Sequence, residues 1–206
     1  MPIILPPAPT LESKIFEQHL HEITQSTATG PPGNLLDCVP DNLSYTEPHK
    51  YYTVPLEAIL SGQLIGAALP RNWRYLIVND DIGVGELELS SSVNADGENV
   101  VDRFVALHHG GAAQATLNAL HRAESDKAFE SEDFELRFLR VCSLYFDAVW
   151  LHSEKRDHII PTTDAIELLK LGQVYSPSDV IGVLTPQAVK AQEFEAQSQR
   201  RAAGLR

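Results

Sequence analysis

Eight histidines and two cysteines are the side chains of this 206-residue chain best suited to metal ligation or nucleophilic chemistry, and their spacing limits what they can do. His108 and His109 form the strongest metal nucleus, because they end a strand-like run just before Gly110-Gly111 and an expected helix start. Consecutive strand residues point to opposite faces, so one pocket receives at most one of the pair. The two glycines would also permit a tight strand-to-helix turn with no metal involved. His19 and His21 have the wrong spacing for one helix face, and His121 lies among solvent-type residues.

Cys142 beside His108 or His152 would make a thiolate–imidazole couple, provided that the ring lies within hydrogen-bond reach of the thiol. The blander reading is that Cys142, in the apolar run 141–144, packs as a small hydrophobe. Asp147 sits between Phe146 and Ala148-Val149-Trp150, neighbours that would desolvate its carboxyl and raise its pKa. An outward strand position opposite Trp150 accounts for it equally well. Together His108, Cys142, Asp147 and His152 define a candidate catalytic set for a small hydrolase or transferase at a sheet edge. Such a site requires these groups within about 10 Å of one another around a cleft. The other carboxylates, Asp80-Asp81, Glu132-Asp133 and Asp164 among them, have no spacing that singles out a catalytic pair.

Cofactor motifs are missing from the pattern. Gly83-Val84-Gly85 lacks the third glycine of a dinucleotide fingerprint and opens a strand, and no glycine-rich loop ends in Lys-Ser or Lys-Thr. Ser61-Gly62 lacks the flanking glycines of a nucleophile elbow. The run Ser92-Val93-Asn94-Ala95-Asp96-Gly97 imitates half a calcium loop, but Arg103 stands where the bidentate carboxylate belongs, which favours a plain hairpin turn. No cofactor is expected. Trp73, Tyr75, Phe104 and Trp150 could line an apolar-ligand pocket on one sheet face, although core packing calls for the same aromatics.

Sixteen Lys and Arg against 28 Asp and Glu give a net charge of −12, a field that repels phosphate backbones and anionic lipid. Neither nucleic acid nor a membrane is an expected partner. The one basic cluster, Arg200-Arg201 with Arg206, reads as solvated helix-end charge. The opening MPIILPPAPT lacks a basic start and an export-type apolar stretch, and no segment approaches the ~20 apolar residues of a membrane span. Cys38 and Cys142 show no pairing pattern, which suits a reducing compartment, so a cytoplasmic location is expected.

The elements that must position these groups follow from periodicity. Thr10 caps an expected helix carrying Phe16, Leu20 and Ile23, and residues 25–50, broken by Gly30-Pro31-Pro32-Gly33 and Pro40, read as a long irregular arm. A short helix is expected at 54–69. A three-strand meander follows, in which Leu87 and Leu89 alternate with Glu86 and Glu88, and then an amphipathic helix carries Ala113, Leu117 and Leu120. Thr185-Pro186 reads as the start of a polar C-terminal helix. Residues 134–152 fit both a helical stripe and a pair of strands. The runs Trp73-Arg74-Tyr75-Leu76, Glu135-Leu136-Arg137-Phe138-Leu139-Arg140-Val141 and Ala148-Val149-Trp150-Leu151 resemble those of small bacterial proteins of no assigned function, over 52–183. In some of these a proline stands at the position of Cys142. The resemblance implies architecture alone: strands at 135–141, 146–152 and 157–160.

The fold expected on these grounds is α+β: a mainly antiparallel sheet of about six strands in a β3-α-β3 order, with helical N- and C-terminal extensions. The domain division is 1–50 for the N-terminal helix and proline-rich arm, 51–184 for the core, and 185–206 for the polar helix. With 43% hydrophobic residues there is enough apolar material for one core, while both extensions are longer and more polar than that core needs. The leading functional expectation is therefore a non-catalytic binding or assembly protein that engages a protein partner, or a second copy of itself, through its arms.

Overall fold

The computed structural model describes residues 3–4, 9, 35, 38, 42–109, 111–129, 132–202 and 204. The expected helix after Thr10 lies outside the described residues. In chain order the elements are β1 (Ile3–Ile4), β2 (Leu43–Tyr45), β3 (His49–Thr53), α1 (Leu56–Leu60), β4 (Leu69–Asn79), β5 (Ile82–Val93), β6 (Asn99–His109), α2 (Gly111–Ser125), β7 (Phe134–Val141), β8 (Phe146–His152), β9 (Asp157–Pro161) and α3 (Pro177–Ala202).

The expected six-stranded, mainly antiparallel sheet in a β3-α-β3 order is overturned. Among the described residues the sheet has nine strands and is mixed, in the order β6-β5-β4-β3-β7-β8-β9, with β1 added to β7 and β2 to β4. β4 and β7 both pair with β3, antiparallel and parallel respectively. β1 also runs parallel to β7. The segment read as a helical and irregular extension thus supplies β1, β2 and the first residues of β3, and β3 bridges the two halves of the sheet. These strands are two, three and five residues long, and β3 carries a register shift between Lys50 and Tyr52, so no alternation long enough to read is written in the sequence.

Both faces of the sheet are covered. On one face α2 buries Ala113, Leu117, Leu120 and Ala123 against Leu76, Leu136, Phe138, Val149 and Leu151. Its first turn lies so close to β5 that a Cβ on Gly83 would meet the Ala113 carbonyl oxygen at 2.5 Å, which requires glycine there. On the opposite face α1 and α3 cover Leu139, Phe146, Ala148, Trp150 and Ile159, while Leu35 packs with Trp73, Tyr75, Ile77, Leu87 and Leu89.

α3 begins at Pro177, well before the expected start at Thr185-Pro186. Ser176-Pro177 offers the same hydroxyl–proline signature and adds Asp179, which closes a capping box: the Asp179 amide donates to Ser176 Oγ (3.2 Å) and the Ser176 amide to Asp179 Oδ2 (3.3 Å). Thr185 is interior, and its hydroxyl reaches Ile181 O at 2.8 Å and Ile59 O at 3.2 Å, which ties α3 to α1. Val180, Leu184 and Ala188, at four-residue spacing, are fully buried beneath the sheet face.

Candidate functional site

On the α2 face a polar strip crosses the sheet beside the apolar floor. The register places His49 of β3 opposite Arg74 of β4, Arg74 opposite Glu88 of β5, and Glu86 opposite His108 of β6. Arg74 is 2% exposed, with its guanidinium carbon 4.4 Å from the ring centroids of both Tyr51 and Phe138. Its Nη1 donates to Glu86 Oε2 at 3.0 Å, and Nη2 lies 3.6 Å from Glu88 Oε2. The rest of the two carboxylates is satisfied by Thr116 Oγ1, which donates to Glu86 Oε1 at 2.7 Å, and Asn72 Nδ2, which donates to Glu88 Oε1 at 2.6 Å. Burial by itself raises the Glu88 pKa, but the His108 ring, Asn72 and the Arg74 charge outweigh it and hold the carboxyl below the ordinary glutamate range. His49 is buried with no hydrogen-bond partner on either ring nitrogen among the described residues, and burial pushes its pKa down to about 4.

Farther along the same face, beyond Tyr51 and Phe138, stand Arg140 and Asp147, register partners on β7 and β8. Their side chains form a bidentate pair, Nε to Oδ1 at 2.5 Å and Nη2 to Oδ2 at 2.6 Å, and Asp147 holds the Arg140 pKa above its ordinary value. This pair, with Cys142, Tyr145 and Thr163, lines an open cleft of about 370 Å³. Tyr145 is 81% exposed and left-handed at φ 53°, which turns the chain sharply between β7 and β8. Cys142 is exposed, contrary to the buried apolar position expected of it, because residues 142–144 form a single 3-10 turn instead of continuing the strand.

Two of the four candidate catalytic residues therefore meet, and two do not. Cys142 and Asp147 share the cleft, where the Asp147 carboxylate is already engaged by Arg140. His152 lies at the other end of β8 and on its opposite face; five residues of strand separate it from Asp147, about 16 Å. Its Nδ1 contacts Asp157 Oδ1 at 2.7 Å, an oxygen that also accepts from Trp150 Nε1 at 2.7 Å. His108 is on β6, five strand spacings from β8 across the sheet, or about 24 Å, with its Nε2 3.7 Å from Glu88 Oε2.

Of the metal pair, His108 faces Glu88, and the His109 side chain lies outside the described residues. Among the described residues no three of His, Cys, Asp and Glu converge as a metal centre requires. The calcium-like loop is a hairpin turn in which Asn94 Oδ1 accepts from the amides of Asp96 (3.0 Å) and Glu98 (2.8 Å). Trp73 and Tyr75 belong to one apolar cluster, with Phe104 against it, and Trp150 to another beneath α3, so the four aromatics line no common pocket.

Sequence reading missed Arg74, Glu86 and Glu88, because Glu86 and Glu88 alternate with leucines as a solvated face would. The available signal was Arg74 itself, the only charge in the apolar run Trp73–Val78.

The remaining feature is the distal half of α3. Beyond Ala191 every residue from 192 to 201 is exposed, and Phe194 is 73% exposed. Among the described residues no helix is long and apolar enough to cross a membrane. Comparison of the chain with family models, with curated proteins and with solved structures returns no match in any of the three.

Proposed function

We propose that this chain is a non-catalytic binding or assembly protein that engages a protein partner through the distal half of α3. The carrying observation is Phe194, 73% exposed on a helical stretch whose residues all face solvent. A helix of ten or so residues is marginal in water by itself. This one is nucleated by the docked half, where Val180, Leu184 and Ala188 are fully buried. Its seam also continues the buried one: Val180, Leu184, Ala191, Phe194 and Ser198 follow one another at three-, four- and seven-residue steps along α3. The docked half anchors the helix, and the distal half presents the same stripe to a partner.

Replacing Phe194 in the full chain by a photoreactive phenylalanine analogue tests this in lysate of the source organism. A discrete adduct is expected from position 194 and none from Ser178, which is exposed on the docked half of the helix. Equal, diffuse labelling from both positions would overturn the reading.

A further inference from the structure

We infer that the partner of this helix is a protein groove whose apolar pocket for Phe194 stands between two carboxylates, one meeting Lys190 and the other Arg201; the inference rests on the docking role just assigned to the distal half of α3. Helical spacing carries it. At about 100° per residue, Lys190 lies ~40° and Arg201 ~20° from the direction of Phe194, with the uncharged Gln197 and Ser198 on the same face. Glu193 and Glu195 stand ~100° away on either side, and Arg200 ~120° away. The charges in line with the ring are therefore both positive, in a chain whose net charge is −12.

The spacing along the axis makes the partner more definite. Lys190, Phe194 and Arg201 are all exposed. Lys190 precedes the ring by about 6 Å and Arg201 follows it by about 10 Å at the helical rise. A groove that takes this stripe needs carboxylates about 16 Å apart along its length, with the apolar pocket nearer to one of them.

Two other occupants fit the pattern worse. A second copy would bring the same two cations to the stripe in either orientation, with no carboxylate in line to receive them. A flat anionic lipid surface meets the shoulders of a helix as well as its crest, and there Glu193 and Glu195 repel it. Discrete carboxylates in line with the ring avoid both glutamates.

The probe is the full chain carrying the photoreactive phenylalanine analogue at position 194, in lysate of the source organism. Lys190→Glu and Arg201→Glu are each expected to cut the yield of the discrete adduct at least fivefold. Arg200→Glu makes the same change of charge one residue away on another face, and should leave the yield within twofold of wild type. All three variants should keep the wild-type helix content by circular dichroism. Raising salt from about 0.05 M to about 0.5 M should lower the yield from the unreversed chain, because ion pairs at the edge of a contact are screened.

Equal loss from Arg200→Glu and Arg201→Glu, or no loss from Lys190→Glu and Arg201→Glu, would overturn the carboxylate-flanked groove and leave the docking role standing. An adduct of twice the mass of the chain, or label carried by membrane lipid, would overturn it as well, by putting a second copy or a bilayer in its place. The absence of any discrete adduct would overturn the docking role itself.

Discussion

Two regions of this molecule invert the usual distribution of polarity. Beneath α2 the sheet buries Arg74, Glu86, Glu88 and His49, while at the far end of α3 Phe194 stands in solvent. The buried charges are paired, although Arg74 Nε and Nη2, like both His49 ring nitrogens, make no hydrogen bond among the described residues: Arg74 holds Glu86 and stacks on two rings, and Thr116 and Asn72 each take a carboxylate oxygen. Phe194 is exposed, on a stretch where every neighbour is exposed as well. A paired buried charge is a requirement of the fold, whereas an apolar side chain in water on a formed helix adds nothing to the fold and, on the docking role proposed above, is free to meet a partner. Substitutions in the first region should therefore act on stability, and those in the second on association.

The largest expected effect is at Arg74. Arg74→Met strands two carboxylates in the interior and should cost about 3–5 kcal/mol in urea unfolding, with a large part recovered when Glu86→Gln and Glu88→Gln are added. A loss under about 1 kcal/mol would remove the buried cluster from the account.

His49 should give the next effect, and it is pH-dependent. Its folded pKa, lowered from 6.5 to about 4, means that the native state binds fewer protons than the unfolded chain between these values. Its neutral form therefore supports the fold fully above about pH 6.5, and that support is lost as pH falls toward 4, by up to about 3 kcal/mol. His49→Leu should flatten the stability profile across this window, measured by urea midpoints at a series of pH values.

At the cleft, Asp147→Asn leaves Arg140 without its bidentate partner. The pair is partly exposed, at 25% for Arg140 and 11% for Asp147, and a cost of about 2 kcal/mol is expected, between surface and buried ion pairs. Smallest of all should be Phe194→Asp and Cys142→Ser, both at exposed positions, which should leave the unfolding midpoint within about 0.5 kcal/mol of wild type. Phe194→Asp should abolish association all the same, and that divergence is what separates the two regions.

What could be read from the sequence follows physical lines. The alternation of Leu87 and Leu89 with Glu86 and Glu88 marks a strand, and β5 is there, but the same alternation suggests one wet face where the structure has two dry ones. Alternation reports period; it cannot report that Arg74, a cross-strand neighbour, neutralises the glutamates and lets α2 close over them. Leu43–Tyr45 and His49–Thr53 escaped notice because strands so short depend on neighbours far away in sequence, and the parallel pairing of β3 with β7 helps make the sheet mixed. The start of α3 was a choice between two hydroxyl–proline pairs, decided by Asp179 at the third helical position. Of the candidate site, the proximity of Cys142 and Asp147 was within reach, since they flank one tight turn. The separation of His108 and His152 from them was not, because it depends on strand order and facing.

Hydrogen–deuterium exchange of the full chain tests the central contrast most directly. Amides of residues 192–202, on an exposed helical end, should exchange far faster than those of β4 and β5, which lie in the closed interior. Protection of 192–202 equal to that of β4 and β5 would contradict the account.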